Sequence, residues 1–338
     1  MSELPYLAAE IQSVGTPTLW GVTIAAVLGL LVLDFLVTRK PHEVSMREAL
    51  GWSAFYVALP LAFGAWLWSR YGSQQGIEYL TGYLVEKSLS VDNLFVFMLL
   101  LAAFAVPAEL AQRALLYGIA GALVLRAVFI AVGAAALQTL DFAFLLFAII
   151  LIATAVKLLR DALSGHEQEV DISKMRSVRL LRRFMPVTEE YHGPKMAVRL
   201  DGRRTLTPFA LVVVALLATD VVFAVDSVPA VYGITEDPYL VFATNAFALL
   251  GLRALYFVLH AALSRLVHLS YGLAIILAFI GVKLGLHWAH GIWKGVPEIP
   301  TLASLGVIVG VLVIVTLTSL RATRKTGQGE REVVVERH

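Results

Sequence analysis

Nine stretches of about 20 mostly apolar residues, set off by charged or proline-rich breaks, constrain this chain more than any other feature. They are Leu19–Thr38, Ala49–Trp68, Ile77–Phe104, Ala114–Leu137, Phe142–Leu159, Thr207–Val231, Tyr239–His260, Leu269–Trp288 and Thr301–Leu320. A stretch of that length matches the hydrocarbon thickness of a bilayer, where a helix satisfies its own backbone. Any one of them alone reads equally well as a buried core helix. Nine in 338 residues do not, because the chain is 59% hydrophobic and only 15% charged, against about 25% charged in soluble domains. The predicted fold class is therefore an all-α polytopic membrane protein with about nine transmembrane helices. A water-soluble enzyme and a disordered chain are both excluded. The first stretch is not a cleavable signal: no basic region precedes it, it carries Asp34, and it is long enough to span.

Lysine and arginine placement sets the orientation. With the N-terminus outside, the inner segments 39–48, 105–113, 160–206, 261–268 and 321–338 hold 20 basic residues, and the outer segments only Arg70 and Lys294. Discounting the long 160–206 segment still leaves 10 against 2, so the expectation is N-out, C-in. The predicted organisation is a pair of spans over 1–76, a three-helix unit over 77–160, a charged cytoplasmic loop over 161–206, a second three-helix unit over 207–290, a last span over 291–320 and a polar, disordered tail over 321–338.

The two three-helix units are copies of each other. Glu86-Lys-Ser-Leu-Ser-Val-Asp92-Asn93 in the third span parallels Asp220-Val-Val-Phe-Ala-Val-Asp226-Ser227 in the sixth. Leu-Arg-Ala recurs at Arg126 and Arg253. Ala148-Ile-Ile-Leu followed by Val156-Lys157-Leu158 recurs as Ala274-Ile-Ile-Leu followed by Val282-Lys283-Leu284. Three matches in one order indicate duplication. An odd number of helices makes the copies enter the membrane from opposite sides, and the substrate site of such inverted repeats lies near midplane between them.

Charges inside a membrane cost on the order of 3 kcal/mol each on insertion scales, so they face a polar interior and pair. Glu86, Asp92, Asp220 and Asp226 are such charges, with Lys87 and Arg126 beside them. Six residues turn a helix so that two side chains end about 120° apart, and one unbroken helix cannot grip a small ion with both its carboxylates. The helices are interrupted, as Pro229 suggests for the sixth span, or the ligands pair across the repeat. Two layouts fit: Asp92 facing Asp226, or Glu86 with Asp226 and Asp92 with Asp220. The candidate metal ligands are Glu86, Asp92, Asn93, Asp220, Asp226 and Ser227, all hard oxygen donors suited to Mn²⁺, Ca²⁺ or Mg²⁺. Arg126 and Arg253 are expected to neutralise the carboxylates when no ion is bound. Asp34 lies near the inner boundary and carries little weight. His287 and His290 read as interfacial residues, since no third ligand is near. G-x-x-x-G at Gly281/Gly285 and Gly306/Gly310 is a weak packing signal.

The chain has no cysteine, which removes disulfides and thiolate ligands. No nucleotide, zinc-protease or serine-hydrolase motif is present, so no enzymatic activity is expected. A net charge of +2 gives no reason to expect nucleic acid.

The stretch from Gly82 to Asn93, Phe223-Ala-Val-Asp-Ser-Val-Pro-Ala230, Asn245 to Phe257 and Val14-Gly-Thr-Pro17 resemble the TerC/Alx family over nearly the whole membrane portion. The family took its names from tellurite resistance and alkali-inducible expression, and its members were once described as redox modulators. They are now regarded as manganese exporters of bacterial inner membranes, related to LysE-type transporters. The resemblance implies that Glu86, Asp92, Asp220 and Asp226 are transport carboxylates. Relatives often carry an acidic residue three positions before Asp220, where this chain has Leu217, and no role is assigned there. The expected function is Mn²⁺ export across the inner membrane, with Mn²⁺ as cargo, H⁺ as counter-ion, no organic cofactor and lipid as surroundings. The competing class is a non-transporting scaffold of a tellurite or metal-stress complex that docks partners on 161–206. Oligomeric state is open, a homo-oligomer included.

Overall fold

The computed structural model describes residues 13–37, 46–140, 142–164, 175, 177–179, 186–188, 190–200, 203–260 and 268–335. Ten long or medium helices dominate the described residues: α1 (Pro17–Val37), α2 (Met46–Tyr71), α3 (Ser73–Ala103), α4 (Ala108–Thr139), α5 (Ala143–Ser164), α6 (Pro208–Tyr232), α7 (Pro238–Leu250), α8 (Leu252–His260), α9 (Leu269–Ile292) and α10 (Thr301–Val335). Seven of them, α1, α2, α4, α5, α6, α9 and the first part of α10, are long and apolar enough to cross a membrane. The chain is a multi-pass integral membrane protein.

Local signals explain the boundaries. Thr207 caps α6 by accepting from the Ala210 amide (3.3 Å), with Pro208 at the first helical position. Asp237 caps α7 in the same way, accepting from the Tyr239 amide (2.9 Å) ahead of Pro238. It also holds Ser13 Oγ (2.6 Å) and the Val14 amide (2.7 Å), which pins the segment before α1 to this end. Gly72 turns the chain between α2 and α3 at φ 105°, a left-handed conformation that only glycine adopts without strain.

Four sequence expectations change here. The stretch 239–260 is two helices, α7 and α8, separated at Gly251, not one continuous helix. The interruption proposed at Pro229 is absent, and α6 continues to Tyr232. Pro229 stands in the last turn, where it removes only the bond to the Val225 carbonyl and little helix remains to disturb. Segment 161–206 is more than a linker: β1 (Ala197–Leu200) pairs antiparallel with β2 (Arg203–Leu206), and Tyr191 donates to the Phe104 carbonyl at the end of α3 (2.8 Å). The expected disordered tail is helical to Val335 as a continuation of α10.

Packing follows small residues and one-sided apolar faces. α5 and α9 lie antiparallel and close, because Gly281 sits over the Ala148 carbonyl and Ile152. A β-carbon at Gly281 would lie 2.8 Å from Ile152 Cγ1. The other glycine pair fails as a packing signal, since nothing approaches Gly306 or Gly310 within 4 Å. On α4, Val124, Val128 and Val132 face outward at four-residue spacing, while Ile119, Ala122, Arg126, Ile130 and Gly133 face inward. The principal contacts are α5 with α9, α4 with α6, α3 with α7, α2 with α3, and α3 with α6.

Candidate functional site

Where α3, α4, α6 and α7 converge, an arginine is enclosed by oxygen. Arg126 is buried on the inward face of α4. Its Nη1 donates to Glu86 Oε1 of α3 and to Asn245 Oδ1 of α7 (2.9 Å). Its Nη2 donates to Asp220 Oδ1 of α6 (3.2 Å) and its Nε to Oδ2 (3.5 Å), a forked grip on one carboxylate. Asn245 is oriented in turn by donating from Nδ2 to the Val241 carbonyl one turn back (2.9 Å). Ser90 donates to Glu86 Oε1 from the next turn of α3 (3.4 Å). Side-chain exposure is 0% for Glu86 and 1% for both Arg126 and Asp220, so water screens none of these charges.

This pairing is neither of the two layouts read from the sequence. Glu86 and Asp220 meet through Arg126, which ties α3 to α6. Both α3 and α6 run unbroken through their carboxylate pairs, and the 120° separation therefore stands: each helix sends its two carboxylates in different directions. Asp226, partly buried one and two-thirds turns beyond Asp220, lies within electrostatic reach of Glu86 and Arg126. Asp92 belongs to α3, but its side chain lies outside the described residues. Glu86 Oε2, Asn93 Nδ2 and Ser227 Oγ are buried without a hydrogen-bond partner among the described residues. Three orphaned polar atoms on the helices that carry the carboxylates mark places where a further polar group or ion would be accommodated. Among the described residues, no three His, Asp or Glu side chains are grouped to hold a metal ion as they stand.

Arg253 does not join this cluster. Its Nη2 pairs with Asp34 Oδ1 of α1 (2.8 Å), both side chains 3% exposed or less. Of the two arginines expected beside the carboxylates of α3 and α6, Arg126 pairs with them and Arg253 does not, because α8 turns Arg253 toward α1. Asp34, discounted from its position near a helix end, is a buried ion-pair partner. Asn245 carried no assignment either, although a lone amide in an apolar stretch was a readable signal. Leu217 packs into the space left by Gly121 of α4.

At one end of the helix bundle, Glu78, Glu236, Asp237, Lys283, His287 and Glu298 line a cleft of about 610 Å³. His287 stands between Glu298 Oε1 (3.0 Å from Nδ1) and Glu236 Oε1 (3.4 Å from Nε2). His290 Nδ1 lies 2.6 Å from the Val296 carbonyl.

Sequence comparison adds the relatives. The family model described as integral membrane protein TerC family matches residues 71–327. An uncharacterized membrane protein of Mycobacterium tuberculosis is 41% identical over 319 residues, covering 91% of this chain and 80% of its own. One from Myxococcus xanthus is 40% identical over 313 residues (92% and 95%). The Escherichia coli K12 protein provisionally named membrane-bound redox modulator Alx is 40% identical over 315 residues (90% and 94%). No solved structure matches the chain significantly.

Proposed function

This chain belongs to the TerC family of integral membrane proteins, and we propose that it is a secondary transporter that exports Mn²⁺, or another hard divalent cation, across the bacterial inner membrane. The observation that carries this reading is the buried Glu86–Arg126–Asp220 cluster. Two carboxylates on helices of different repeat units share one guanidinium, deep in a bundle of membrane helices. A dication offers the same compensation of charge as Arg126 and more, and carboxylate, amide and hydroxyl oxygens are the ligands Mn²⁺ takes. In the metal-free state Arg126 stands in for the cargo; on loading, the cargo takes oxygens from it, with Asp226, Asp92, Asn93 and Ser227 as the further donors on α3 and α6. Exchanging one bound cation for another avoids leaving either carboxylate bare in the membrane.

The inverted repeat has structural support. Exchanging α3, α4 and α5 with α6, the α7–α8 pair and α9 turns the α4–α6 contact into the α7–α3 contact, and leaves α5–α9 and α3–α6 as self-paired contacts. Those self-paired helices run antiparallel, with Glu78 at the start of α3 accepting from Thr235 just past the end of α6 (2.7 Å). Counting α3 and the α7–α8 pair with the seven apolar helices gives nine crossings. The N-terminal segment then lies with Asp237 and His287 outside, and the basic 161–206 segment inside.

Export implies coupling. Moving two charges outward against about 100 mV, inside negative, costs about 4.6 kcal/mol. H⁺ is the counter-ion we favour, because intramembrane carboxylates serve as proton carriers. Proteoliposomes loaded with Mn²⁺ and given a pH jump or a Na⁺ jump at clamped potential test this. Efflux driven by the pH jump is the expected result. Efflux indifferent to both leaves a channel, and no efflux at all leaves the scaffold reading, in which 161–206 is the docking surface.

A further inference from the structure

Two of the differences between the repeat units touch each other in space. Aligning Glu86 and Asp92 with Asp220 and Asp226 sets Lys87 opposite Val221. Aligning the two Leu-Arg-Ala segments sets Gly251 opposite Val124, which lies in the uninterrupted α4. Only the second unit has a break, between α7 and α8, and only the first has a lysine at this level. In space they meet. Lys87 Nζ donates to the Ala248 carbonyl in the last turn of α7 (3.1 Å), and a β-carbon at Gly251 would stand 3.2 Å from that nitrogen and 2.8 Å from Tyr56 Cβ.

The last carbonyls of a helix have no partner within it and carry the negative end of its dipole. In a membrane they need a donor from elsewhere, and broken helices of transporters commonly present such ends to cations. Here a primary ammonium on a side chain of α3 fills that role. The same stretch of α7 carries Asn245, three residues before Ala248, whose Oδ1 accepts from Arg126 (2.9 Å). Glu86 and Lys87, adjacent on α3, thus reach the same end of α7 by two routes, one through Arg126 and one directly.

We propose that the Lys87 ammonium is a tethered cation occupying a monovalent-cation site at the break between α7 and α8, made accessible by Gly251, and that it positions Asn245 against Arg126. It is a positioning residue that the carboxylate pairs alone do not account for. A free small ammonium ion is the chemistry that fits the vacated position once the tether is cut.

Thermal unfolding of the full chain in detergent tests this, with ethylammonium chloride compared with choline chloride at equal ionic strength. The readout is stability, so the result does not depend on Mn²⁺ transport. Lys87→Ala and Lys87→Met are each expected to lower the melting temperature by about 4 °C, and Lys87→Arg to keep it near the wild-type value. Ethylammonium is expected to restore most of the loss in Lys87→Ala, where there is room for it, and to leave Lys87→Met and the wild type unchanged; choline, too large, restores none. A Lys87→Met protein as stable as wild type overturns the proposal. So does a loss in Lys87→Ala that ethylammonium does not reduce. If Lys87→Ala does not accumulate, the Met and Arg variants decide between themselves: equal loss in both overturns it.

Discussion

Replacing Arg126 by methionine keeps an unbranched apolar stem and removes the guanidinium with its charge. In the structure this strips Glu86 of its ion-pair partner, Asp220 of a two-point grip, and Asn245 of its acceptor role. Exposed ion pairs are worth about 0–1 kcal/mol, but these three charged groups are at most 1% exposed. Breaking a buried pair by removing one partner costs about 3–5 kcal/mol, because the other charge stays behind. Two carboxylates are left here, so the upper end applies and the melting temperature should fall by about 7 °C. The triple variant Glu86→Gln/Arg126→Met/Asp220→Asn removes the stranded charges with the guanidinium and should recover most of that loss, a strong non-additivity. Fluorescence-detected size exclusion of heated, detergent-solubilised protein measures all of this on small amounts. An Arg126→Met protein that unfolds with the wild type would refute the reasoning, as would a triple variant no more stable than the single one.

Glu86→Gln, Asp92→Asn and Asp226→Asn should each abolish Mn²⁺ efflux from proteoliposomes while inserting normally; wild-type rates in any of them remove that residue from the pathway. Arg253→Met and Asp34→Asn should each destabilise the protein, with a coupling of about 0.5–3 kcal/mol in a double-mutant cycle, and additive losses would show that the pair contributes nothing. Gly281→Ala puts a β-carbon 2.8 Å from Ile152 Cγ1 and 3.2 Å from the Ala148 carbonyl, and should cost about 1–3 kcal/mol by prising α5 from α9. Burial raises the Tyr191 hydroxyl from its ordinary value to about 12. A phenol whose pKa is raised on folding stabilises below its unfolded value of about 10 and loses that contribution as pH rises toward 12. The contact between Tyr191 and the end of α3 should therefore open between pH 10 and 12, seen as faster proteolysis of 161–206. Tyr191→Phe should remove that pH step.

Much of the architecture was legible because it is local. Bilayer-spanning length, the Thr-Pro and Asp-Pro helix starts at 207–208 and 237–238, and the duplicated carboxylate and Leu-Arg-Ala segments are properties of contiguous residues. Each shows before any two helices are packed together. The cost of charge in lipid likewise marked Glu86, Asp220 and Arg126 as belonging to one polar interior. The same logic located the wrong break: proline is a visible helix breaker, yet Pro229 sits where too little helix follows it, while the break falls at Gly251, where a β-carbon would meet Tyr56 and Lys87.

Partner choice was not local. Which carboxylate meets Arg126 depends on the rotation and depth of α3, α4 and α6 relative to one another, and a few degrees of rotation move a long side chain between candidates. Arg126 and Arg253 occupy the same place in a repeated motif, yet α4 is continuous and turns Arg126 into the four-helix centre, whereas α8, set off by the break, turns Arg253 to Asp34 on α1. Sequence determines how long the helices are, where they start and which of their residues cannot face lipid. Tertiary structure alone decides which buried charges neutralise each other, because the long-range, low-dielectric attraction between them is settled by packing that hydrophobic pattern leaves free.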